Sequence, residues 1–304
     1  MLSTRALKAL FWRRLLPAAT LLCGMGGTAP AWAQAYEPPR LLGFAGAQRA
    51  LGTGNDALYQ NPAGLAFSGS YEVEIGYADD FREADRRVTL SIADGQAGEF
   101  AGGLGLTYAR FRPAGETEGD RRLDGLRFDV GLAAMLGRTL AVGVTTRFGD
   151  YRLLAGDDEV PDGGTSALTF DVGLQWQLGQ GFSVGGLVRN LTSESQPGMP
   201  RAWGAGLGYR SGPLLAEVDV DHAWETVAPV YSGTVGFIIA EQFPLRVGTS
   251  FDSETERFSI SGGAGFVVDR IAVDLAYRQR IDPVASGEDA DERLFAVSFR
   301  VRAF

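Results

Sequence analysis

The feature that most constrains this chain is a period of two in its side chains, which runs from Ser70 to the C-terminus. Between residues 168 and 178 the even positions are apolar and the odd positions are polar or glycine, as in Leu174-Gln175-Trp176-Gln177. Successive side chains of a β-strand point to opposite faces, so the alternation predicts strands with one apolar and one polar face. No convincing amphipathic helix pattern follows Ser70, which excludes α/β folds.

The period-two segments predict about fourteen strands. Many are longer than the roughly 5 or 6 residues common in globular sheets, and they match the ~9 to 11 residues of a tilted membrane strand. The predicted spans are 70 to 79, 86 to 94, 99 to 112, 122 to 137, 139 to 154, 164 to 178, 181 to 192, 201 to 210, 213 to 225, 230 to 240, 243 to 252, 256 to 268, 270 to 281 and 292 to 304.

The connections between these strands alternate in length. Outer-membrane barrels join their strands by short turns at the periplasmic end and by longer loops outside. A soluble propeller or sandwich also has period-two strands, but nothing in such a fold requires the alternation. The longer connections, such as 113–120 and 282–291, are often acidic. The tight ones are Gly137-Arg138, Gly179-Gln180, Ser211-Gly212, Glu241-Gln242 and Asp269-Arg270.

The predicted fold is therefore all-β, a transmembrane antiparallel β-barrel of about 14 strands over residues 70–304, preceded by a short N-terminal plug. A closed barrel pairs every backbone group within hydrocarbon, so the apolar parity faces lipid and the other parity faces the lumen. Outer-membrane lipids are then direct partners of the wall, and the outer membrane of a Gram-negative cell is the predicted location.

The first residues have the pattern of a secretory leader. A basic segment that ends at Arg13-Arg14 precedes an apolar run to about Gly27, and Ala31-Trp32-Ala33 is an A-x-A cleavage pattern. The apolar run is far shorter than the roughly 20 residues of a membrane-spanning helix. A signal peptide over residues 1–33 is therefore predicted instead of an anchor.

Composition excludes several classes of function. Cys23 is the only cysteine and lies in the predicted leader, and His222 is the only histidine. Nucleophile–base pairs and transition-metal sites depend on these residue types, so we predict no enzyme activity, no metal site and no cofactor. Of the 28 Lys and Arg residues four lie in the leader, which leaves 24 against 37 Asp and Glu. Such an acidic chain should repel nucleic acid.

Glycine recurs on the lumen-facing parity near the tight-turn end of the predicted strands. Glycine within a strand often marks the close approach of another backbone. Our hypothesis is that the segment before Ser70 fills the lumen at this belt, whereas the alternative is that glycine is merely abundant, at 42 residues. The belt consists of Gly76, Gly103, Gly131, Gly143, Gly173, Gly185, Gly206, Gly236, Gly248 and Gly263.

The segment between the leader and the first strand, residues 34–69, has a motif of its own. Small residues dominate 43–52, and Asn55 or Asp56 is predicted to cap one helical turn that ends before Pro62. Over residues 46–66 this segment resembles the N-terminal hatch of the FadL and PorV families of outer-membrane proteins. The resemblance rests on the small residues, an Asp-Ala step and the motif Asn-Pro-Ala-Gly-Leu at 61–65, and elsewhere on architecture.

The resemblance implies a hatch that blocks the bore. In the FadL branch, hydrophobic ligands leave sideways through a gap near a kinked third strand. The third predicted strand here contains Gly102 and Gly103, which would permit such a kink, although an ordinary glycine pair is the alternative. The residues implied to form the plug or gate are Asn61, Pro62, Ala63, Gly64 and Leu65.

Two functions follow from the two branches. The FadL branch implies a channel or transporter whose partner is a small hydrophobic compound. The PorV branch implies a non-transporting barrel that anchors an envelope protein complex for secretion or motility. An apolar pocket between hatch and wall would favour the channel, and a lumen packed solid with polar pairs would favour the anchor.

Overall fold

A computed structural model describes residues 38–80, 85–96, 99–111, 121–156, 158–161, 163–192, 200–224, 226–281 and 291–303. The predicted leader lies outside these residues. Within them, fourteen long antiparallel strands form a closed barrel, which confirms the predicted fold class. No helix in these ranges is both long and apolar enough to cross a membrane.

The strands follow one another around the barrel in chain order, and their observed ends agree with the predicted spans to within three residues. The two-residue strand β6 pairs only with β5 and was not predicted. The bounds are β1 (Tyr71–Asp79), β2 (Arg86–Asp94), β3 (Phe100–Phe111), β4 (Arg121–Leu136), β5 (Leu140–Ala155), β6 (Asp158–Glu159), β7 (Thr165–Gly179), β8 (Phe182–Arg189), β9 (Ala202–Ser211), β10 (Leu214–Ala223), β11 (Val230–Ile239), β12 (Phe243–Asp252), β13 (Arg257–Val268), β14 (Ile271–Ile281) and β15 (Asp291–Ala303).

Pairing between the first and last strands closes the sheet. Strand β1 pairs with β15 along its whole length, from Tyr71 opposite Ala303 to Asp79 opposite Phe295. Closure lets the strands satisfy one another's backbone groups, which a wall surrounded by hydrocarbon requires.

The two faces of the wall differ in the way that the alternation predicted. In β14 the side chains of Ile271 and Leu275 are exposed, whereas those of Ala272 and Asp274 are buried. Exposed large apolar side chains occur on the outer face of every long strand. An exterior of this kind belongs in lipid, because water solvates it poorly.

One end of the barrel carries the tight turns, and we call it the tight-turn end. Several turn residues there have the left-handed backbone that close reversals need, among them Gly137 (φ 84°), Gln180 (φ 52°) and Asp269 (φ 49°). The opposite end, the long-loop end, carries the longer connections. Most of 113–120 and 282–291 lies outside the described residues.

The described residues before β1, from 38 to 70, contain three short helices. They are α1 (Pro39–Gly43), α2 (Asn55–Tyr59) and the 3₁₀-helix η1 (Pro62–Phe67). The prediction that Asn55 or Asp56 caps α2 was wrong. Gly54 takes the N-cap position at a φ of 60°, and no side chain caps the helix. The Asp56 carboxylate instead forms an ion pair with Arg40 at 3.1 Å.

Candidate functional site

Residues 38–69, which we call the hatch, lie inside the barrel toward its tight-turn end. Helix α1 contacts β12 to β15, and η1 contacts β3, β4, β5 and β7 on another side of the lumen. The side chains of Leu41, Leu42, Leu58 and Leu65 are fully buried. The hatch therefore fills this part of the lumen with a packed interior.

The wall meets the hatch through glycines. A Cβ atom at Gly143 would overlap the backbone of Pro62 and Ala63, and one at Gly185 would overlap the carbonyl of Arg49. Glycine is required at such positions because the two backbones touch directly. Members of the predicted belt that contact the hatch are Gly103, Gly131, Gly143, Gly173, Gly185, Gly206, Gly236, Gly248 and Gly263. The hatch also contacts glycines that the predicted belt did not include, among them Gly105, Gly204 and Gly208.

Asn61 ties the hatch together and to the wall. It is completely buried, and its Oδ1 accepts a hydrogen bond from the Ala63 amide at 3.3 Å as the N-cap of η1. Its Nδ2 donates to the carbonyl of Arg49 at 2.7 Å and to that of Leu174 in β7 at 3.0 Å. One amide side chain thus joins two hatch segments and one strand.

The other residues of the motif pack closely behind Asn61. Pro62 occupies the first turn of η1, where its missing N–H leaves no donor unpaired. A Cβ at Gly64 would overlap the carbonyl of Gly52, so the two parts of the hatch touch there. Ala63 and Leu65 are completely buried. Leu65 packs in a cluster with alanines of β2, β3 and β4.

Arg49 fastens the hatch to β10, and the sequence analysis did not single it out. Its Nη1 lies 2.8 Å from Asp219 Oδ2, its Nε donates to Asp221 Oδ1 at 2.9 Å, and its Nη2 also pairs with Asp221. The guanidinium is buried, as is the carboxylate of Asp219. Charge-assisted hydrogen bonds of this kind are stronger than neutral ones.

Carboxylates of β10 also bind the hatch backbone beside Arg49. Asp219 Oδ2 accepts hydrogen bonds from the amides of Gln48 (2.9 Å) and Arg49 (3.2 Å). Glu217 Oε1 accepts from the amide of Ala50 at 2.6 Å. The signal in the sequence is the run of lumen-facing acids at 217, 219 and 221, whose spacing of two places them on one face.

A second cluster of charges surrounds Arg40 of α1. Its Nη2 lies 3.1 Å from Asp56, 3.7 Å from Glu74 and 3.9 Å from Glu72. Burial raises the pKa of Asp56 to about 6, and the neighbouring acids act in the same direction while Arg40 opposes it. The carboxyl of Asp56 therefore changes its protonation state near pH 6.

Gly102 and Gly103 lie in a continuously paired strand. Gly103 is opposite Ala93 of β2 and Gly131 of β4, and neither ladder shifts register there. Gly103 faces the lumen, where a Cβ would meet Leu58 and Leu65 at 3.3 Å. In this structure Gly103 packs against hatch side chains. Strand β3 stays hydrogen-bonded to β2 and β4 at the position where a kink was predicted.

Above the hatch, toward the long-loop end, lies a cavity of about 200 Å³. Hatch residues Ala45, Gly46, Arg49 and Gln60 border it from below. The surrounding wall combines small apolar residues with several arginines. An engineered apolar cavity of roughly 150 Å³ accommodates benzene, so this space suits a molecule of about one ring.

A lumen-facing apolar cluster lies near the long-loop end of β3, β4 and β5. It consists of Ala109, Phe111, Leu123 and Tyr151, and the rings of Phe111 and Tyr151 meet edge to face with centroids 5.5 Å apart. Barrel interiors are normally polar, so an inward apolar cluster departs from the usual pattern.

Several solved structures have a similar fold. The chain is similar to the CymD monoaromatic hydrocarbon channel, with a TM-score of 0.71, 14% identity and coverage of 90% of this chain and 98% of that one. It shares the FadL-type barrel fold. The toluene transporter TbuX of Ralstonia pickettii gives a TM-score of 0.63 at 13% identity, covering 89% of this chain and 99% of that one.

A FadL homologue of Pseudomonas aeruginosa gives 0.59 at 12% identity, covering 87% of this chain and 98% of the homologue. No protein-family model and no curated protein sequence matches the chain. At these identities the likeness concerns the fold, and at that level the predicted FadL resemblance is confirmed. Nothing in these structures bears on the PorV branch.

Proposed function

We propose that this protein is an outer-membrane channel for small hydrophobic compounds in which the hatch closes the bore. The proposal includes a leader over residues 1–33, a plug segment over 34–69 that contains the hatch, and a barrel over 70–304. The observation that carries it is the cavity of about 200 Å³ directly above the packed hatch. A barrel that served only as an anchor has no need of such a space, and a solid polar lumen would lack it.

The apolar cluster at the long-loop end supports entry of an apolar solute. Phe111, Leu123 and Tyr151 face the lumen, where they offer a surface from which a hydrocarbon can displace water. The monoaromatic hydrocarbon channel CymD and the toluene transporter TbuX share the fold. A one-ring hydrocarbon is therefore the solute class that we propose.

The gate in this proposal is the motif at Asn61, Pro62, Ala63, Gly64 and Leu65. These residues form the part of the hatch that packs on β4, β5 and β7, so their displacement would open the lumen along that wall. Gly102 and Gly103 offer a sideways exit only if the paired ladders of β3 separate. The lateral route thus requires movement of the wall as well as of the hatch.

Uptake of labelled toluene by cells that express the protein tests the function. We expect faster uptake than in cells carrying an empty vector, and several-fold slower uptake by Phe111→Asn, because a buried amide weakens the apolar surface. Phe182→Asn is the matched control, since Phe182 is exposed on the outer wall at the tight-turn end. Heat-modifiable migration in gels reports whether each variant folds.

Equal uptake with and without the protein would refute the channel. A stoichiometric envelope protein that co-purifies from solubilised outer membranes, together with that result, would favour the anchor instead. Equal loss of uptake in Phe111→Asn and Phe182→Asn would remove the apolar cluster from the proposed route while leaving the channel in place.

A further inference from the structure

Arg189 is a buried cation that forms no ion pair with a described carboxylate. It lies near the end of β8, faces the lumen and is 9% exposed. Its Nη2 donates to Oε1 of Gln60 at 2.6 Å and to the Gln60 carbonyl at 3.5 Å, while its buried Nε has no hydrogen-bond partner. Gln60 supplies neutral acceptors only, so the charge stays uncompensated by its direct partners.

Two other buried arginines of the lumen, Arg147 and Arg246, differ in this respect. Arg147 lies 2.7 Å from Asp129 and 2.9 Å from Asp171. Arg246 lies 2.6 Å from Asp274. Burying a charge without a partner is unfavourable, so buried charges are usually paired. Within the described part of the chain Arg189 has no paired carboxylate, so its guanidinium is open to an anionic partner.

Arg189 borders the cavity above the hatch. Seven arginines and two aspartates, Asp221 and Asp252, are among the described residues that line this space, so its local charge favours an anion even though the whole chain is acidic. Ala202 and Val230 contribute apolar surface elsewhere in the lining. The cavity thus offers a cationic group and apolar surface within the volume of about one ring.

We propose that this cavity binds a small organic acid, whose carboxylate pairs with the guanidinium of Arg189 and whose apolar ring packs on Ala202 and Val230. The inference rests on the proposed channel function and adds an anionic one-ring compound to the solutes that the channel accepts. A guanidinium presents parallel donors that match a carboxylate in a bidentate pair. A neutral hydrocarbon fills the same space but leaves the cation unpaired.

Calorimetric titration of the purified full-length barrel in detergent tests this assignment. Benzoate and benzamide are the probes, because they have nearly the same shape and differ in charge. We expect benzoate to bind at least about tenfold more tightly than benzamide, which corresponds to roughly 1.4 kcal/mol. Arg189→Gln should remove that preference, because it keeps a polar side chain and loses the charge.

Two further variants keep the test decisive. Arg189→Lys retains the charge without the fork and should keep a reduced preference for benzoate. Arg152→Gln is the matched control, since Arg152 is 66% exposed at the far end of β5 and should leave both affinities unchanged. If Arg189→Gln fails to fold, the comparison of Arg189→Lys with the parent protein still tests the carboxylate pair.

The outcomes separate the two proposals. Equal affinity for benzoate and benzamide in the parent protein, or a preference that survives in Arg189→Gln, overturns the assignment of an organic acid to Arg189. Toluene uptake would then still support the channel. No binding of either probe together with no toluene uptake would overturn the channel and with it the inference.

Discussion

The two halves of the lumen are built from the same strands but hold different contents. Toward the tight-turn end, the inward positions of β4 and β5 are Gly131 and Gly143, and the hatch packs against them. Toward the long-loop end, the inward positions on the same strands are Arg127 and Arg147, and a cavity lies beside them. One face of one sheet therefore changes from bare backbone to long cations within four residues.

This contrast shows what decides where a segment can lie inside a barrel. A backbone can approach a strand directly only where the strand has no side chain, which explains the glycines beside the hatch. Arginines keep another backbone at a distance and leave space between their long stems. The hatch half is thus defined by close packing and the cavity half by charge.

The largest effect is expected from adding a side chain where the wall touches the hatch, because this should displace the hatch. In Gly143→Val the new side chain would overlap the backbone of Pro62 and Ala63, so we expect the hatch to leave its position and the bore to conduct continuously. The strand itself should persist, because valine favours β structure. Single-channel conductance in planar bilayers measures the effect.

Gly233→Val is the matched control for this change. Gly233 lies in β11, and no heavy atom lies within 4 Å of a Cβ built there. Its conductance should equal that of the parent protein. A closed bore in Gly143→Val, with the barrel folded, would mean that the hatch does not depend on that glycine contact.

Loss of the Arg49 anchor should produce the next largest effect. Arg49→Met leaves the buried carboxylate of Asp219 without its cation, and removing one partner of a buried pair destabilises by about 3 to 5 kcal/mol. We expect hatch opening to become roughly 100-fold to 5,000-fold more frequent, at about 1.4 kcal/mol per factor of ten. Hydrogen exchange of hatch peptides measures this opening. Arg152→Met is the control, because Arg152 is exposed. Unchanged exchange would contradict a tether at Arg49.

Removal of the Asn61 side chain should have a smaller effect on the same packing. Asn61→Ala loses the N-cap contact and the donors to Arg49 and Leu174, which together correspond to about 1 to 2 kcal/mol. Hatch exchange should rise by roughly tenfold. Asn61→Asp retains the cap acceptor but loses both donors, so a parent-like rate in that variant would show that the cap alone matters.

The sequence allowed prediction of the wall better than of the hatch contacts. Period-two alternation fixes which side chains of β14 face outward, because strand geometry leaves only two faces. The glycine belt could be placed on the lumen face for the same reason. The partners of Arg49 could not be predicted, since they lie in β10 about 170 residues away and depend on how the hatch folds back.

The helix cap illustrates a second limit. Asn55 and Asp56 are both good N-cap residues, and local rules favour them. The structure instead uses Gly54, because the carboxylate of Asp56 pairs with Arg40 of α1. A tertiary ion pair overrides a local preference here. The cavity was likewise beyond prediction, because it depends on which lumen arginines find carboxylates.

The smallest expected effect concerns protonation within the hatch half. Burial raises the pKa of Asp56 to about 6, above its ordinary value, so the folded hatch binds this proton more strongly than the unfolded segment does. The resulting stabilisation is fully present below the ordinary pKa of Asp and is lost as the pH rises through about 6. The hatch should therefore be held less firmly at pH 7 than at pH 5, by about fivefold to tenfold in its opening equilibrium.

The Asp56→Asn variant tests this prediction, because its side chain cannot titrate and should abolish the difference. Hydrogen exchange of α2 is compared between this variant and the parent protein at each pH, which isolates the contribution of Asp56. A ratio between the two proteins that stays constant from pH 5 to pH 7 would show that docking of the hatch is governed by its contacts with the wall and not by this charge.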